Sequence, residues 1–179
     1  MNKERLPVLI IKGTVGVGKS TVGLALHDLF SESAISHTFL DLDQLTYSRP
    51  QTERFNRLLM FEALGALWPV YKASGSMRLV LARVIVDEAD LQAYEEALGP
   101  CSFTIIRLMA PELVRKPRLQ QRESDDSIDW FLNRTVELDS ILDNSSLQFV
   151  EVVNDNNEPH QVAREILNVT AWVGASLAV

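Results

Sequence analysis

The sequence is poor in the features that mark several other classes of protein. It has one cysteine, Cys101, so the chain forms no internal disulfide, and we expect a reducing compartment, the cytoplasm. Its 24 acidic residues against 17 basic ones leave a net charge of −7, which lacks the positive field that gathers nucleic acid. Its apolar runs are too short for a membrane span or a signal peptide. We therefore expect a small-molecule substrate, and no nucleic-acid or membrane partner.

The chain also lacks internal repeats, low-complexity tracts and linker-like stretches. Its 179 residues, 46% of them hydrophobic, suffice for a core, and we assign residues 1–179 to a single domain. Short apolar runs predict strands, at residues 6–11, 38–41, 79–86, 102–108 and 147–153. Helical spacing of apolar residues predicts helices between them, the longest from about residue 52 to about residue 73. Strands that alternate with helices indicate an α/β fold, a mostly parallel sheet with helices on both faces.

A glycine-rich segment follows the first predicted strand. Glycines let backbone N–H groups wrap closely around phosphate oxygens, and the next helix directs its positive dipole end at the same anion. Lys19 supplies a cation for the β- and γ-phosphates, and the Ser20 hydroxyl is a ligand for Mg²⁺. The segment matches the pattern G-x-x-x-x-G-K-[ST] in full, with Gly13, Thr14, Val15, Gly16, Val17, Gly18, Lys19, Ser20 and Thr21. It predicts a nucleotide site.

Two carboxylates close the second predicted strand. Asp41 and Asp43 are alternate residues of an extended segment, so both side chains can face one cavity. We expect Asp41 to organise Mg²⁺ with Ser20, and Asp43 to take a proton from an attacking hydroxyl. The alternative is that either carboxylate caps the next turn or helix.

Another acid ends the third predicted strand. Val84, Ile85 and Val86 lead into Asp87, and apolar residues that end in an acid place a carboxylate near Mg²⁺ in P-loop proteins. Asp87 is therefore a third candidate for the metal site. An N-cap for the following helix explains this residue equally well.

Arginines are concentrated in the later part of the chain. Arg115, Arg118 and Arg122 are spaced i, i+3, i+7 on one helix face, and Arg134 follows on the next predicted helix. Guanidiniums that close over a nucleotide neutralise the charge that develops during phosphoryl transfer. We expect Arg118, Arg122 and Arg134 to act from a small lid around residues 115–134. A solvated helix face, paired with nearby acids, is the alternative.

The fifth predicted strand ends in a segment rich in Asn and Asp. Asn154 and Asp155 are candidates for recognising the edge of adenine, through side-chain amide or free backbone groups. A plain turn explains the composition equally well.

Together these residues resemble the small P-loop kinases, the group that holds shikimate, gluconate, adenylylsulfate and nucleoside monophosphate kinases. The resemblance rests on residues 13–21, on the pair Asp41 and Asp43, and on the arginine-bearing segment before the strand that ends in Asn154. The segments 78–82 and 129–132 are also similar to those of uncharacterised actinobacterial ATP-binding proteins.

The resemblance implies a P-loop NTPase three-layer sandwich, with a five-stranded parallel sheet in the order 2-3-1-4-5. It also implies an enzyme that moves the γ-phosphate of MgATP to a small acceptor, with Lys19, Asp43 and the lid arginines in catalytic roles. The alternative is a regulatory module that binds or hydrolyses ATP without transfer. A GTPase-like switch is disfavoured, because the guanine-reading tetrapeptide Asn-Lys-x-Asp is absent from the sequence.

Overall fold

The structure is a computed structural model that describes residues 5–51, 53–122, 125–170 and 172. The strands are β1 (Leu6–Lys12), β2 (Thr38–Asp41), β3 (Leu79–Ala82), β4 (Cys101–Met109) and β5 (Val150–Val153). The helices are α1 (Lys19–Glu32), α2 (Arg57–Ala73), α3 (Glu88–Leu98), α4 (Glu112–Arg122), α5 (Asp125–Asp143) and α6 (Pro159–Thr170). The strands form one parallel sheet in the order β2-β3-β1-β4-β5. The predicted fold class and strand order are confirmed.

Helices cover both faces of this sheet, and the central strand shows why. Successive residues of β1 face opposite sides: Val8 and Ile10 pack in the core under α2 and α3, and Leu9 and Ile11 pack in the core under α1 and α6. All four side chains are fully buried. A continuous apolar run is what a strand needs when helical crossovers bury both of its faces. The result is the expected three-layer sandwich.

The long helix begins later than predicted. We expected it to start near residue 52, which lies outside the described residues, but α2 begins at Arg57. Phe55 and Asn56 have φ of 63° and 45°, which is left-handed backbone and interrupts the helix before that point. Downstream, α2 continues through Pro69 to its end.

The third strand ends earlier than predicted, and this changes the residues at the edge of the sheet. β3 pairs with β1 and β2 only as far as Ala82, opposite Ile11 and Asp41. The apolar residues beyond it belong to a loop, in which Ile85 is buried in the core under α2 and α3. The apolar residues beyond Ala82 therefore indicate a buried segment. The length of the strand is set by the neighbouring strands that are present to form hydrogen bonds with it.

The predicted lid corresponds to α4 and the first part of α5. Pro117 lies inside α4 without ending it. Residues 123 and 124, between the two helices, lie outside the described residues. The assignment of residues 1–179 to a single domain stays a prediction. Among the described residues, none of the helices has both the length and the apolar character to span a bilayer.

Candidate active site

The segment between β1 and α1 forms a tight loop at the carboxyl end of the central strand. Gly16 and Gly18 have φ of 83° and 98°, where a side chain is strained. A Cβ at Gly18 would lie 2.7 Å from Nδ2 of Asn154, and one at Gly16 would lie 3.2 Å from Cγ of Leu119. Both positions therefore need glycine, for conformation and for space. α1 begins at Lys19, so the free N–H groups of its first turn face the loop.

The loop lysine lies against the loop backbone. Lys19 Nζ donates hydrogen bonds to the carbonyl oxygens of Gly13, at 3.0 Å, and of Thr14, at 2.9 Å. Val15 is partly buried in the turn, and Thr21 is exposed in the first turn of α1. A phosphate oxygen is a stronger acceptor for an ammonium than a neutral carbonyl is. The observed contacts therefore keep Lys19 next to the position that the loop offers to an anion.

The hydroxyl of the next residue meets the first strand-end carboxylate. Ser20 Oγ donates a hydrogen bond to Oδ2 of Asp41. The other oxygen, Oδ1, accepts the backbone N–H of Asp43 at 3.1 Å, so Asp41 also caps the turn after β2, as the alternative predicted. A hydroxyl and a carboxylate side by side are hard oxygen ligands of the kind that Mg²⁺ takes from a protein, with phosphate and water as its other ligands. The residues present fit this ion.

The second carboxylate, Asp43, lies in a 3₁₀ turn after β2 rather than in an extended segment as predicted, and it has a cationic partner that the sequence did not reveal. Arg83 Nη1 pairs with Oδ1 of Asp43. The side chain of Arg83 is 15% exposed and that of Asp43 is 46% exposed, so the carboxylate remains open to solvent beside its partner. The sequence contains the evidence for this pair, because Arg83 directly follows β3, the neighbour of β2 in the sheet. The expectation that β3 continues to residue 86 concealed it.

Asp87 does not join this group. Its Oδ1 accepts the backbone N–H of Asp90 at 3.1 Å, which makes it the N-cap of α3. It also lies five residues beyond the end of β3 at Ala82, rather than at a strand end as predicted. The N-cap interpretation is confirmed, and none of the described contacts of Asp87 favours a metal-binding role.

The first arginine of α4 joins the lid helices to the phosphate loop. Arg115 Nη1 donates hydrogen bonds to Oγ1 of Thr14 and to Oδ2 of Asp139 in α5, both at 2.8 Å. Thr14 is buried and the side chain of Arg115 is 13% exposed. This arginine therefore holds α4 and α5 against the loop.

Of the next two arginines of α4, the structure describes the side chain of Arg118 but not that of Arg122. Arg118 Nη1 is buried, has no hydrogen-bond partner among the described residues, and lies 3.9 Å from the place of a Cβ at Gly18. A buried N–H group without an acceptor is unfavourable, and an oxygen of a phosphate on the loop is the kind of acceptor that it lacks. Arg122 ends α4, and its side chain lies outside the described residues.

The arginine of α5 lies beside a second feature, a cavity of about 440 Å³ formed by the chain after β2. Arg134 pairs with Glu137, with Nη1 and Oε2 2.6 Å apart, and its guanidinium lies 5.0 Å from the centre of the Phe55 ring. Phe55 lines the cavity together with Tyr47 and Arg49. Arg134 therefore contacts the ring of a residue that lines this cavity.

The amide predicted to read adenine lies against the loop. Asn154 Nδ2 donates to the carbonyl oxygen of Val17 at 2.8 Å, and its backbone N–H donates to the carbonyl oxygen of Met109 at 2.7 Å. Its Oδ1 is buried and has no hydrogen-bond partner among the described residues. Asp155 is exposed. Asn154 therefore braces the loop and keeps one acceptor available.

A buried lysine directly precedes the loop. Lys12 is fully buried, its Nζ donates to Oγ of Ser145 at 2.8 Å, and the ammonium lies 4.2 Å from the centre of the Phe149 ring. Burial, and next the charge of Arg107, lowers the pKa of Lys12 to about 8. Ser145 in turn donates to the carbonyl oxygen of Val86, so this contact connects β1 with the loop after β3.

Solved structures of kinases share this arrangement of elements. A sugar kinase from Janibacter sp. HTCC2649 superposes with a TM-score of 0.59 at 17% identity, over 98% of this chain and 99% of its own. Shikimate kinase from Aquifex aeolicus has a TM-score of 0.56 at 24% identity, over 92% and 96%. A gluconokinase from Sinorhizobium meliloti has a TM-score of 0.56 at 18% identity, over 97% of each chain.

Sequence comparison adds no family to this likeness. No protein-family model matches the chain, and no curated protein matches it in sequence. At these identities the structural likeness establishes the fold. The chain thus has, over nearly its whole length, the fold of the small P-loop kinases that its motifs resemble.

Proposed function

We propose that the chain is an ATP-dependent phosphotransferase, a kinase that moves the γ-phosphate of ATP to a hydroxyl of a small-molecule acceptor. The observation that carries the proposal is the contact of Ser20 with Asp41 beside Lys19. It unites the loop after β1 and the end of β2 at one edge of the sheet. Ligands of parallel α/β sheets bind at that edge, beyond the carboxyl ends of the strands.

The donor half of the site consists of the loop, Lys19, Ser20 and Asp41. Backbone N–H groups of the loop and the first turn of α1 bind the phosphates, and Lys19 exchanges its carbonyl contacts for phosphate oxygens. Mg²⁺, held by Ser20 and Asp41, supplies charge neutralisation at the phosphates when bound. The unpaired Nη1 of Arg118 supports a phosphate contact from α4. We assign Arg122 the same role by its position on the helix.

At the adenine end we propose Asn154 and Asp155. The available Oδ1 of Asn154 suits the amino group of adenine, which donates hydrogen bonds. The carbonyl of Val17 already occupies the donor side of this amide, so only its acceptor side is offered to the base.

The acceptor half consists of Asp43, Arg83 and the cavity beside Phe55 and Arg134. Asp43 takes the proton of the acceptor hydroxyl as that oxygen bonds to the γ-phosphorus, and the bond from phosphorus to the β,γ-bridging oxygen breaks to leave ADP. Arg83 orients the carboxylate through one oxygen. We assign contact with the rest of the acceptor to Arg134, which lies over the Phe55 ring, and to the residues that line the cavity.

The test is transfer of labelled phosphate. The chain is incubated with ATP labelled at the γ-phosphate, Mg²⁺ and pools of small hydroxylated metabolites, and the label is followed by chromatography. Appearance of label in an organic product, with one ADP formed for each phosphate moved, supports the kinase. Release of labelled inorganic phosphate from every pool favours the ATP-hydrolysing module. A competition titration is expected to show that ATP displaces GTP effectively, and a strong preference for GTP would reject the ATP assignment.

A further inference from the structure

A second cavity lies at the other end of the sheet from the phosphate loop. It encloses about 530 Å³ between the second half of α1, the start of β2 and the end of α2. His27 of α1 and His37, just before β2, line it with the hydroxyls of Ser31 and Ser36. His27 is eight residues along α1 from Lys19, or about 12 Å at the helical rise. These residues belong neither to the donor half nor to the acceptor half of the proposed site.

Two imidazole nitrogens converge in this cavity. Nδ1 of His27 and Nε2 of His37 are 2.8 Å apart and share a hydrogen bond, which a bound ion would replace. Nδ1 of His37 lies 2.7 Å from the carbonyl oxygen of Ile35, and it makes that hydrogen bond only as the N–H donor. In the neutral ring the lone pair is then on Nε2, which faces His27. A histidine held through Nδ1–H by a backbone carbonyl is in the arrangement that orients histidine ligands of metal ions.

We propose that His27 and His37 bind a divalent first-row transition-metal ion, with water as the remaining ligands. Two nitrogens at about 2.0–2.1 Å from one ion are about 2.9–3.4 Å apart, for angles between square and tetrahedral. The observed distance between Nδ1 of His27 and Nε2 of His37 is shorter than this by less than about 1 Å. A small rotation of the exposed His27 ring therefore makes room for the ion. His27 presents its Nδ1 lone pair once its proton is on Nε2, a change of tautomer that leaves the ring neutral.

The surroundings of His37 favour its neutral form, which is the form that binds a metal ion. Burial lowers the pKa of His37, and the neighbouring charges of His27 and Arg78 act in the same direction, against the hydrogen bond to Ile35. Histidine binds metals only when it is deprotonated, so binding is expected to weaken as the pH falls. Among the described residues no group of three or more His, Cys, Asp or Glu side chains is arranged for a metal, so these two rings carry the site. Imidazole with water suits Cu²⁺, which also binds most tightly in the divalent series.

The chain provides its own control, because it has three histidines. Nε2 of His160 in α6 lies 3.4 Å from Oδ2 of Asp28, and His160 does not line the cavity. Cu²⁺ is titrated by calorimetry into the wild type, H27Q, H37Q and H160Q at neutral pH, without nucleotide. We expect one ion per chain in the wild type and in H160Q. Loss of either ligand is expected to weaken binding by at least about tenfold.

An independent readout uses the wild type alone. Electron paramagnetic resonance of the one-to-one Cu²⁺ complex is expected to show hyperfine splitting from two imidazole nitrogens. Circular dichroism of each variant without metal checks its fold, and the spectrum of the wild type decides the question if a variant does not fold. Equal Cu²⁺ affinity in H27Q, H37Q and wild type, or a spectrum without two nitrogens, would overturn the proposal. Because no nucleotide or acceptor is present, either result is separate from the fate of the proposed kinase activity.

Discussion

The donor and acceptor halves of the proposed site are built in different ways. In the donor half, backbone conformation and the short run of residues 13–20 make most of the contacts: three glycines have positive φ, and Lys19 lies on loop carbonyls. Asp41, which accepts from Ser20, comes from outside this run. In the acceptor half, side chains distant in sequence form ion pairs, such as Arg83 with Asp43. The first half serves a phosphate chain, which is the same for every ATP. The second half has to fit one acceptor.

The ion pairs of the acceptor half continue away from Asp43. Arg57 pairs with Asp90 at 3.0 Å, and Oδ2 of Asp90 accepts the backbone N–H of Val86. These contacts connect α2 with the start of α3 and fix the loop after β3. A charge introduced or removed here is therefore expected to change the shape of the acceptor half, whereas the donor half depends mainly on its backbone.

The largest effect is expected from breaking the donor half. Lys19→Ala removes the cation for the β- and γ-phosphates and leaves the loop backbone in place. We expect kcat/KM to fall by about 10³–10⁵-fold, the contribution of a cation that stabilises phosphoryl transfer. ATP affinity should fall as well, with little change in thermal stability. ADP formation and an equilibrium ATP titration measure both, with Lys72→Ala, an exposed lysine at the end of α2, as control. Wild-type turnover in Lys19→Ala would contradict the nucleotide site.

Next in size is a change confined to the acceptor half. Asp43→Asn keeps the shape of the side chain and removes its basicity, so transfer to the true acceptor should fall by about 10²–10⁴-fold. MgATP binding should stay near the wild-type value, because Asp43 does not contact the loop. Single-turnover kinetics with the acceptor from the screen separates chemistry from binding.

The matched control for Asp43→Asn is Arg83→Gln. It breaks the same ion pair and leaves the carboxylate intact, so a loss due only to the broken pair would be equal in the two variants. A much larger loss in Asp43→Asn is expected of a general base. If Asp43→Asn transfers phosphate at the wild-type rate, the residue has no catalytic role, and positioning and charge account for the reaction.

A smaller effect distinguishes the two candidate carboxylates for Mg²⁺. Asp41→Asn is expected to raise the Mg²⁺ concentration for half-maximal activity by about tenfold or more, as loss of a metal ligand does. Asp87→Asn should leave that concentration unchanged, because asparagine caps a helix as well as aspartate does. Titration of Mg²⁺ at fixed ATP measures both. An equal shift in Asp87→Asn would restore Asp87 to the metal site.

Prediction from the sequence succeeded where local rules decide. The apolar run of β1, followed by glycines and Lys19, predicted the loop, and the alternation of elements predicted the sheet with helices on both faces. It was less accurate where tertiary partners decide. β3 ends at Ala82, opposite the last residue of β2, and no property of Val84 or Ile85 indicates this end. The misplaced boundary then made Asp87 a strand-end residue and hid Arg83.

The arginines of the lid show the same limit. Their spacing places Arg115 and Arg118 on one helix face, and the structure gives them different partners. Arg115 bonds through Nη1 to Thr14 and Asp139, and only its Nε is buried without an acceptor among the described residues, whereas it is Nη1 of Arg118 that lacks one. Spacing predicts a shared face, but burial and the facing helix decide which arginine is structural. The predicted catalytic roles of Arg118, Arg122 and Arg134 remain predictions.

The smallest effect concerns Lys12, the last residue of β1, and we expect it to change stability rather than chemistry. Its pKa is lowered to about 8 from 10.5, so between these pH values the unfolded chain binds more protons than the folded one. The free energy of unfolding therefore rises with pH through this window. Burial raises the pKa of Cys101 and of Tyr94, which opposes the rise at the upper end of the window. The contribution of Lys12 is isolated as the difference between the wild type and Lys12→Met.

Urea unfolding of both chains at pH 7, 8, 9 and 10 measures that difference. The wild type should gain stability relative to Lys12→Met by on the order of 1–2 kcal/mol between the lowest and highest pH. This gain is expected because the buried Lys12 loses its positive charge as the pH rises. Lys12→Met has no charge at this position at any pH. Lys72→Met serves as control, because its exposed ammonium should give a profile parallel to the wild type. Parallel profiles for wild type and Lys12→Met would mean that the buried ammonium keeps an ordinary pKa.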